Sequence, residues 1–498
     1  MATEEEILAS RRRRAERLAA AGVELFPARV PRELDRVSGL LERYSESDAE
    51  TLEREAPQAR IAGRILSLRS FGKAAFATLV SDGARLQIWV KRDVIGEEAY
   101  AHFGLYEVGD FVWAAGPLIR TRKGELSIEV KELGFLAKSY RPLPEKWHGL
   151  QDVEARYRQR YLDLLMNPDA RRIAVGRSRM VAAIRRVLDE RGFLEVETPV
   201  LQNLYGGANA TPFTTHYKAY DEQVYLRISL ELYLKRLVVG GLERVYEIGR
   251  NFRNEGADRS HNPEFSMLEV YQAYADYEDM MELAESLISQ AAYAVCGGTR
   301  VERDGEIIDL APPWPRISMK ELIASETGID IEVVKELDGL KEAVKSAGLS
   351  DVDAERAPSW ARLVDEIWSQ RVEPGLLQPT FVVDYPTALS PLAKRLPGQT
   401  AFVERFELFA GGTELANAFS ELNDPFDQRE RFEAQRRERE SGDAEAQPLD
   451  EEFLRALEHG MPPTGGMGIG VGRVAMMLTG ASHIREVKLF PYMRRAGV

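Results

Sequence analysis

Hydrophobic residues divide the chain into three stretches with different periodicities. Residues 1–55 carry leucines among many charged residues and contain few strand-favouring residues, so this stretch is predicted to be helical. From about residue 60, short β-branched or alternating runs are separated by Asp-Gly, Gly-Asp and Lys-Gly turns, which is typical of strands. Beyond residue 171, helical periodicity alternates with strand-like runs that lie far apart in the sequence.

Five strand-like runs follow one another in the second stretch: ARIAGRILSLRSF, AAFATLVSD, ARLQIWVKRD, DFVWAAGPLIR and GELSIEVKELGFL. Their number and spacing predict a small closed barrel, with the five-stranded oligonucleotide-binding (OB) barrel as the leading candidate. We therefore predict an N-terminal helical extension at 1–55, a barrel at 56–140, a proline-containing linker at 141–170 and a large α+β domain at 171–498.

The large domain is predicted to contain an antiparallel β-sheet flanked by helices. One of its strands is predicted at FLEVETPVL, which Pro199 closes. Its strand-like runs are separated by long helical or irregular segments, including a mostly helical insertion at about 276–372, which argues against a βαβ series. Neither G-x-G-x-x-G nor G-x-x-x-x-G-K-[ST] follows a strand, so Rossmann and Walker nucleotide sites are not supported.

The composition of the chain limits the kinds of molecule that it can bind and the cellular compartment in which it is expected. The net charge of −14 argues against indiscriminate coating of nucleic acid but allows a specific RNA partner. No apolar run approaches the roughly 20 residues of a membrane span. A charged N-terminal segment and a single cysteine, Cys296, favour a cytoplasmic protein without disulfides or a Cys-rich zinc site. The Arg11–Arg14 cluster is either a solvated helix face or a contact with an RNA backbone.

Residues 244–274 contain the densest group of chemically active side chains. Two strand-like halves flank a loop with Arg253, Glu255, Arg259, His261 and Asn262. A planar guanidinium suits phosphate or carboxylate, a glutamate accepts from an exocyclic amine, and Phe265 offers a face on which a base can stack. Salt-bridged scaffolding is the alternative, but the loop holds more charged residues than a hairpin needs.

Two later segments complete the picture. In RFELFAGGTELANAFSELND, Glu407 and Glu414 flank a Gly-Gly bend and could share a hard cation such as Mg²⁺, whereas Glu421 could hold a cationic substrate. In PPTGGMGIGVGRVAMML, a glycine-rich strand leads into an apolar helix that begins near Arg473. An arginine at a helix start is well placed to meet phosphate.

These three segments, in this order, resemble the signature motifs of the class II aminoacyl-tRNA synthetases, and the whole chain resembles the bacterial lysyl-tRNA synthetases. The resemblance covers about residues 55–493 and includes GFLEVETPVL, YGGANATPF, YLRISLELYLKRLVVGG, YEIGRNFRNEG, HNPEFSMLE, FSELNDP and LEHGMPP. It implies an OB-fold anticodon-binding domain, a class II catalytic domain, and a homodimer whose interface includes the motif 1 match ending at Pro199. The implied partners are ATP, L-lysine and tRNA(Lys).

The resemblance also implies the nucleotide and metal positions. Arg253 is expected to bind the α-phosphate of ATP and the lysine carboxylate, and Arg473 to cover the adenine and reach the γ-phosphate; both are implied to be catalytic. Further ATP contacts are implied at Glu255 for the adenine amine, His261 for the γ-phosphate, Phe265 for stacking, and Asn262. Glu407 and Glu414 match the magnesium ligands, so Mg²⁺ is the implied cofactor.

The implied lysine pocket places Glu231 at the α-ammonium and Glu269, Tyr271 and Glu421 around the ε-ammonium, with Asn417 and Phe419 in its wall. A buried ammonium left unpaired is costly, so several acceptors are expected around a cationic substrate. In the barrel, Phe76 and Gln87 match residues that stack on and read the central anticodon uridine, with Arg69 nearby. Aromatic stacking plus a polar reader is a common way for barrels to bind single-stranded RNA.

Five positions depart from the usual family pattern. Gly472 replaces an aspartate, alanines flank Asn417 in place of glycines, Thr413 replaces an arginine, and Leu230 replaces a proline. None removes a residue to which the resemblance gives a role. Gly472 bears on the orientation of Arg473, because a neighbouring carboxylate can hold a guanidinium in place.

Three other functions fit parts of this pattern. A lysyltransferase that acts on a protein would lack the barrel at 55–140. An aspartyl- or asparaginyl-type synthetase must bind a carboxylate or an amide, whereas Glu269 and Glu421 would repel aspartate. A non-catalytic RNA-binding module would not need its glutamates and arginines at ATP and metal positions. The sequence therefore predicts two-step acyl transfer, in which ATP activates lysine and the lysyl group passes to tRNA.

Overall fold

The computed structural model describes residues 3–144, 150–303, 305–440 and 447–495. The chain divides into two compact units, Met1–Arg171 and Arg172–Val498. Residues 145–149 of the predicted linker, and residues 441–446, lie outside the described residues. Among the helices that are described, none combines the length and the apolar character needed to cross a membrane.

The first unit contains short helices and a six-stranded sheet. Helices α1–α3 span Glu4–Ala20, Val37–Tyr44 and Ala49–Glu55. Strands β1–β6 span Gln58–Phe71, Ala74–Ser81, Ala84–Lys91, Phe111–Arg120, Leu126–Glu129 and Glu132–Ala137. Helices α4–α7 span Arg92–Ile95, Glu97–Phe103, Val153–Arg158 and Arg160–Met166.

Five of these strands close into a ring. The ring runs β1-β2-β3-β5-β4 and closes where β4 pairs with β1, and β6 adds to β4 outside the ring. Alternate residues point inward, so Ile61, Ile88, Val112 and Ile128 are completely buried in the barrel core. The predicted OB-type barrel is confirmed, and its last predicted run, GELSIEVKELGFL, divides between β5 and β6.

Two arginines of the α1 cluster, Arg11 and Arg14, hold that helix within the unit, whereas Arg12 and Arg13 are exposed. Arg11 is buried, and its guanidinium donates to the carbonyl oxygens of Ser139 at 2.9 Å and Val108 at 3.0 Å. Arg14 lies 3.8 Å from the carboxylate of Glu107. Arg11 therefore belongs neither to a solvated face nor to an RNA contact, because its donors are already used inside the unit.

The second unit begins in the long helix α8, Pro168–Glu190, and contains most of the remaining elements. Helices α9–α16 span Glu231–Val239, Tyr277–Cys296, Met319–Thr327, Leu337–Ser346, Trp360–Ile367, Pro425–Glu440, Glu451–Glu458 and Val471–Thr479. Strands β7–β12 span Leu194–Glu195, Leu201–Gln202, Thr214–Tyr217, Glu222–Leu226, Arg244–Phe252 and Glu264–Ala273. Strands β13–β19 span Arg300–Arg303, Glu306–Asp309, Arg316–Ser318, Thr380–Pro386, Phe402–Phe409, Glu414–Ser420 and Thr464–Gly470.

An eight-stranded sheet in the order β15-β16-β17-β18-β19-β12-β11-β7 forms the centre of this unit. Its inner pairs are antiparallel, and only the two edge pairs are parallel, β15 with β16 and β7 with β11. Helices α10 and α16 share a buried apolar core with the sheet. The predicted α+β class with a largely antiparallel sheet is thus confirmed.

The sequence prediction was wrong for FLEVETPVL, which was expected to be one strand. Only Leu194–Glu195 and Leu201–Gln202 are extended and paired, and the residues between them are irregular. Pro199 lies in this interval and has no amide proton to give to a ladder. Glu247 instead accepts hydrogen bonds from the Thr198 amide at 2.9 Å and hydroxyl at 2.7 Å, so a side chain holds the segment.

Candidate active site

The register of four strands brings the three chemically active segments together. One row across β12, β19, β18 and β17 runs through Glu269, Gly468, Asn417 and Glu407. A second row, two residues along each strand, runs through Tyr271, Gly466, Phe419 and Arg405. Residues two apart in a strand project from the same face, so both rows face one side of the sheet.

A cavity of about 400 Å³ lies on this face. All of its lining residues belong to the second unit. They include every site residue predicted for the catalytic domain: Glu231, Arg253, Glu255, His261, Asn262, Phe265, Glu269, Tyr271, Glu407, Glu414, Asn417, Phe419, Glu421 and Arg473. The structure therefore brings together in one place all the side chains that the motifs suggested.

The glycine-rich strand β19 forms part of the cavity wall because a side chain would not fit there. A Cβ atom added at Gly466 would overlap Glu421 Oε1 and would lie 2.6 Å from Tyr271 Cε1. A Cβ atom at Gly468 would lie 2.7 Å from Met267 Cε. Glycine at these positions leaves room for the acidic side chains and for a ligand between them.

At one end of the cavity, Arg253 presents an unsatisfied cation. It follows β11 directly, and its backbone amide donates to the carbonyl of Pro263 at 2.8 Å, which closes the loop between β11 and β12. The guanidinium is 5.1 Å from the ring centre of Phe265. Its Nε is buried and donates no hydrogen bond within the described part of the chain. Burial lowers the pKa of Arg253, as expected for a cation that has not met its anion.

Arg473 is held in place by two partners on different segments. Its Nη1 donates to the carboxylate of Glu414 at 2.8 Å, and its Nη2 is 3.0 Å from His261 Nε2. Because a guanidinium can only donate, His261 Nε2 must accept, and the imidazole proton must sit on Nδ1. That nitrogen lies 2.9 Å from a carboxylate oxygen of Asp258, which fixes this tautomer. Glu255, beside this group, accepts from the Thr211 amide at 3.1 Å.

Glu407 and Glu414 fit a site for Mg²⁺ bound together with phosphates. Both carboxylates line the cavity, but each is neutralised by an arginine, Glu407 by Arg405 and Glu414 by Arg473. Burial raises the pKa of Glu407 to about 7; Arg405 opposes this shift and Glu414 adds to it. No cluster of three or more potential ligands occurs among the described residues. Two carboxylates plus substrate phosphates is nevertheless the ligand set that Mg²⁺ commonly uses.

At the other end, Glu269 lies among hydrogen-bond donors. Its Oε1 accepts from the Leu230 amide at 3.1 Å and the Ser229 hydroxyl at 3.2 Å, and its Oε2 from the Tyr271 hydroxyl at 3.3 Å. Burial, followed by the nearby Glu231, raises the pKa of Glu269 to about 7. The carboxylate of Glu269 thus has hydrogen-bond donors but no ion-pair partner among the described residues, and a bound cation would neutralise it.

Glu231 and Glu421 share a cation that the chain itself supplies. Lys235 Nζ donates to Glu231 Oε1 at 2.6 Å and forms an ion pair with Glu421 Oε2. Lys235 and Glu421 are almost completely buried, at 0% and 1% exposure. The second oxygen of Glu421, Oε1, accepts no hydrogen bond from any described residue.

In the barrel, the predicted anticodon residues lie on the outer face of β1–β3. Phe76 lies opposite Arg69 on one side and Trp89 on the other. The rings of Phe76 and Trp89 stack with their centres 5.6 Å apart and an angle of 8° between them. Gln87 precedes Trp89 by two residues and shares its face, and its Oε1 accepts from the Ser127 hydroxyl at 2.9 Å.

Comparisons with known proteins identify both units. Residues 152–494 match the family described as tRNA synthetases class II (D, K and N), and residues 59–136 match the OB-fold nucleic acid binding domain. The chain is 52% identical to a lysine–tRNA ligase of Chloroflexus aurantiacus, over 96% of each chain. It is 50% identical to those of Moorella thermoacetica and Anaeromyxobacter sp. (strain K), over 99% of this chain and 98% of each relative. The chain belongs to the class II lysyl-tRNA synthetases.

Two departures of this synthetase from the family pattern have local explanations. A Cβ atom at Gly472 would lie 2.6 Å from Ile484 Cδ1, so Ile484 occupies the space that an aspartate would need. The carboxylate that orients Arg473 comes instead from Glu414. At the second position, the Leu230 amide donates to Glu269, which a proline could not do.

Three residues of the synthetase's site were not predicted. Arg405 donates to Asn417 Oδ1 at 3.1 Å and pairs with Glu407, and alternation in RFELF placed it on the same face as Glu407. Lys235 lies one helical turn after Glu231, and Trp89 lies on the same strand face as Gln87. Spacing alone could have indicated that each is near a predicted residue, but not which group it contacts.

The raised pKa of Glu269 predicts that lysine binding depends on pH. Below pH 7 this carboxyl group is largely protonated in the free synthetase, so an arriving ammonium must displace a proton. At saturating ATP, the KM for lysine in pyrophosphate exchange should rise about tenfold as the pH falls from 8 to 6.

Glu269→Gln should raise that KM at pH 8 and weaken its pH dependence. A KM for lysine that stays constant or falls towards pH 6 in the unmodified protein would show that Glu269 does not meet the substrate cation.

Proposed function

We propose that this cavity carries out both steps of lysine–tRNA ligation, with ATP at the arginine end and lysine at the glutamate end. Ligation of lysine to tRNA with ATP follows from membership of the family. The residue roles are the proposal. One observation supports it best: the same cavity is lined by two arginines, Arg253 and Arg473, and by three glutamates, Glu231, Glu269 and Glu421.

Arg253 lies where the two halves of the reaction meet. Its buried Nε lacks a partner in the described chain, it lines the cavity, and its charge interacts with both Glu269 and Arg473. A guanidinium can bind a carboxylate and a phosphate at the same time through different N–H groups. We assign it to the lysine carboxylate and the α-phosphate, which brings nucleophile and electrophile together.

In the first step, a lysine carboxylate oxygen attacks the α-phosphorus in line, and the bond from that phosphorus to the bridging oxygen breaks. Lysyl-adenylate forms and pyrophosphate leaves. In the second step, a hydroxyl group of the terminal tRNA ribose attacks the activated carbonyl, and AMP leaves. Chemistry of this kind depends on positioning and charge neutralisation. We assign these tasks to Arg253 and Arg473, and no side chain is needed as a covalent nucleophile.

The remaining residues of the ATP end have supporting roles. Phe265 provides the face for the adenine, Glu255 accepts from its exocyclic amine, and His261 lies beside the γ-phosphate with Asn262 supporting the loop through a 2.7 Å bond to the Glu264 carbonyl. Glu407 and Glu414 would hold Mg²⁺. Bound there, the metal supplies positive charge to the phosphates of ATP.

The lysine end recognises a side chain by its charge. Glu231 binds the α-ammonium, and Glu269, Tyr271 and Glu421 surround the ε-ammonium, while Asn417 and Phe419 form the wall. Two observations support this assignment: Oε1 of Glu421 accepts no hydrogen bond from the described residues, and the pKa of Glu269 is raised. Both indicate a carboxylate that is not fully neutralised by the chain.

A pair of crossed variants tests the two ends. Glu421→Gln removes a charge-assisted hydrogen bond to the substrate, so the KM for lysine in pyrophosphate exchange should rise about tenfold or more. Glu414→Gln should instead raise the Mg²⁺ concentration needed for half-maximal exchange and lower the rate of adenylate formation.

Each variant is the control for the other, and Glu451→Gln, in an exposed ion pair with Arg429, should change neither constant. The assignment of the two ends is wrong if both variants change both constants equally.

We further propose that the barrel reads the anticodon of tRNA(Lys). Phe76 and Trp89 form an aromatic pair on a face that also carries Arg69, so a base can stack there while a guanidinium meets the backbone. With Oε1 of Gln87 held by Ser127, its NH₂ group is the donor that faces a base edge. Gln87 is thus the reader of the central uridine and Phe76 its stacking partner.

Phe76→Ala should lower aminoacylation of tRNA without changing lysine-dependent pyrophosphate exchange, since stacking of one base is worth about 1–3 kcal/mol. Gln87→Ala should reduce discrimination between tRNAs that differ at the central anticodon base more than it weakens binding. Phe26→Ala, which removes another exposed aromatic ring from the same unit, should leave both reactions unchanged. Equal losses in exchange and charging for Phe76→Ala would rule out the anticodon role.

A homodimer is the third proposal. Around the motif 1 match, large apolar side chains are exposed within a short stretch of chain, namely Leu194, Val200, Leu201, Leu204, Tyr217 and Tyr220. A groove of about 490 Å³ follows the adjacent face of α8. Several large apolar side chains exposed within one stretch of chain are typical of an interface.

Leu201→Glu should therefore convert a dimer into a monomer in sedimentation velocity experiments. Leu201 is 54% exposed, so a glutamate there is tolerated in the monomer, but association would bury its negative charge. Val333→Glu, at an isolated apolar residue with 74% exposure, should remain dimeric. A monomeric unmodified protein, or a Leu201→Glu variant that is still a dimer, would contradict the proposed interface.

A further inference from the structure

Lys235 is a buried cation that contacts two acidic residues of the cavity, and the reaction has no obvious use for it. It lies on α9, one turn after Glu231, with its ammonium completely buried. The ammonium lies between Glu231 and Glu421 and is 5.5 Å from the ring centre of Phe419 and 5.9 Å from that of Phe453. Its surroundings thus consist of the two carboxylates assigned to the two ends of lysine and two aromatic faces.

The charges of the acidic end can be counted from the contacts. Three carboxylates, Glu231, Glu269 and Glu421, face one ammonium, Lys235. The other carboxylates of the cavity lie outside this group: Glu407 pairs with Arg405, Glu414 pairs with Arg473, and Glu255 accepts from the Thr211 amide. When all three carboxylates are ionised, two negative charges remain unbalanced in the acidic end. Lysine carries two ammonium groups, one at each end of its side chain, and its carboxylate is assigned to Arg253.

Lys235 also determines which carboxylate oxygens are free. It engages Oε1 of Glu231 and Oε2 of Glu421, and the second oxygen of Glu421 is left without a hydrogen bond in the described chain. Three carboxylates this close and this deeply buried would not all stay ionised without a cation, because like charges repel and burial favours the protonated form. A protonated carboxyl group forms a weaker bond to an ammonium and loses a fixed orientation.

We propose that Lys235 is the resident counter-ion of the lysine pocket: it positions Glu231 and Glu421 and leaves the two negative charges that the α- and ε-ammonium groups of the substrate neutralise. Lys235 is a positioning residue, since it acts through two carboxylates and not on the reacting atoms. The inference rests on the proposed lysine subsite.

The test is a double-mutant cycle in ATP–pyrophosphate exchange on the full-length protein, with active-site concentration measured by the burst of adenylate formation. Lys235→Met keeps most of the side-chain volume and removes the charge. The KM for lysine should rise at least tenfold at pH 7 while the KM for ATP stays within twofold. In Lys235→Met/Glu421→Gln, one positive and one negative charge are removed together, so the rise in the KM for lysine should be clearly smaller than the product of the two single effects.

Lys138→Met is the matched control. Lys138 is also a completely buried ammonium that bridges two carboxylates, Glu107 and Asp110, but it lies in the barrel unit. Its replacement should leave the KM for lysine and the KM for ATP unchanged. Normalisation to the active-site concentration removes any loss that comes only from a smaller folded fraction.

The outcomes separate this inference from the proposed subsite. If Glu421→Gln alone leaves the KM for lysine unchanged, the subsite is wrong. If Glu421→Gln raises it but Lys235→Met lowers it or leaves it unchanged, or if the two single effects simply multiply in the double variant, then Lys235 only supports the fold and the counter-ion role is overturned.

Discussion

The neutralisation of buried carboxylates is the constraint on which the rest of this site depends. Glu231, Glu269, Glu407 and Glu421 all lie deep in one small cavity, where an unpaired charge costs several kcal/mol or is lost by protonation. The chain meets this cost incompletely. Arg405 and Lys235 neutralise part of the charge, while Glu269 and one oxygen of Glu421 are left for a cation that the protein does not provide. A buried acidic pocket that lacks part of its balancing positive charge therefore indicates a cationic substrate.

The sheet makes this concentration of charge possible. Two rows of in-register residues across β12, β19, β18 and β17 place side chains from distant segments within one cavity. Strand β19, which lies between β18 and β12, contributes glycines. The space above Gly466 is occupied by Glu421 and Tyr271. Hydrogen bonds from the Leu230 amide and the Ser229 hydroxyl then fix Glu269. The geometry of the pocket is thus set before any ligand binds. It depends on the strand register, on the glycines of β19 and on the hydrogen-bond donors around Glu269.

Sequence reasoning located the fold class and gathered the site residues because their motifs have characteristic spacing. The resemblance implied a metal position at Glu407 and a pocket wall at Asn417 and Phe419, and all three residues line the same cavity. It could not reveal that Arg405 and Arg473 already pair with the two candidate metal ligands, since partners across strands depend on register. The irregular segment between Leu194 and Gln202 was missed for a related reason: its apolar residues look like a strand, but a side chain, Glu247, supplies its hydrogen bonds. The role of Gly472 also became clear only from its neighbour Ile484.

The central claim is that unbalanced negative charge in the pocket selects lysine. The most direct measurement is ATP–pyrophosphate exchange with each of the twenty standard amino acids and with norleucine, which has the carbon chain of lysine but no ε-ammonium. A site built to bind a polar group rejects the analogue that lacks it by a factor of about 10⁴ or more. The account predicts that lysine exceeds norleucine and every other amino acid in kcat/KM by a factor of that order. Exchange with norleucine within tenfold of that with lysine would contradict it.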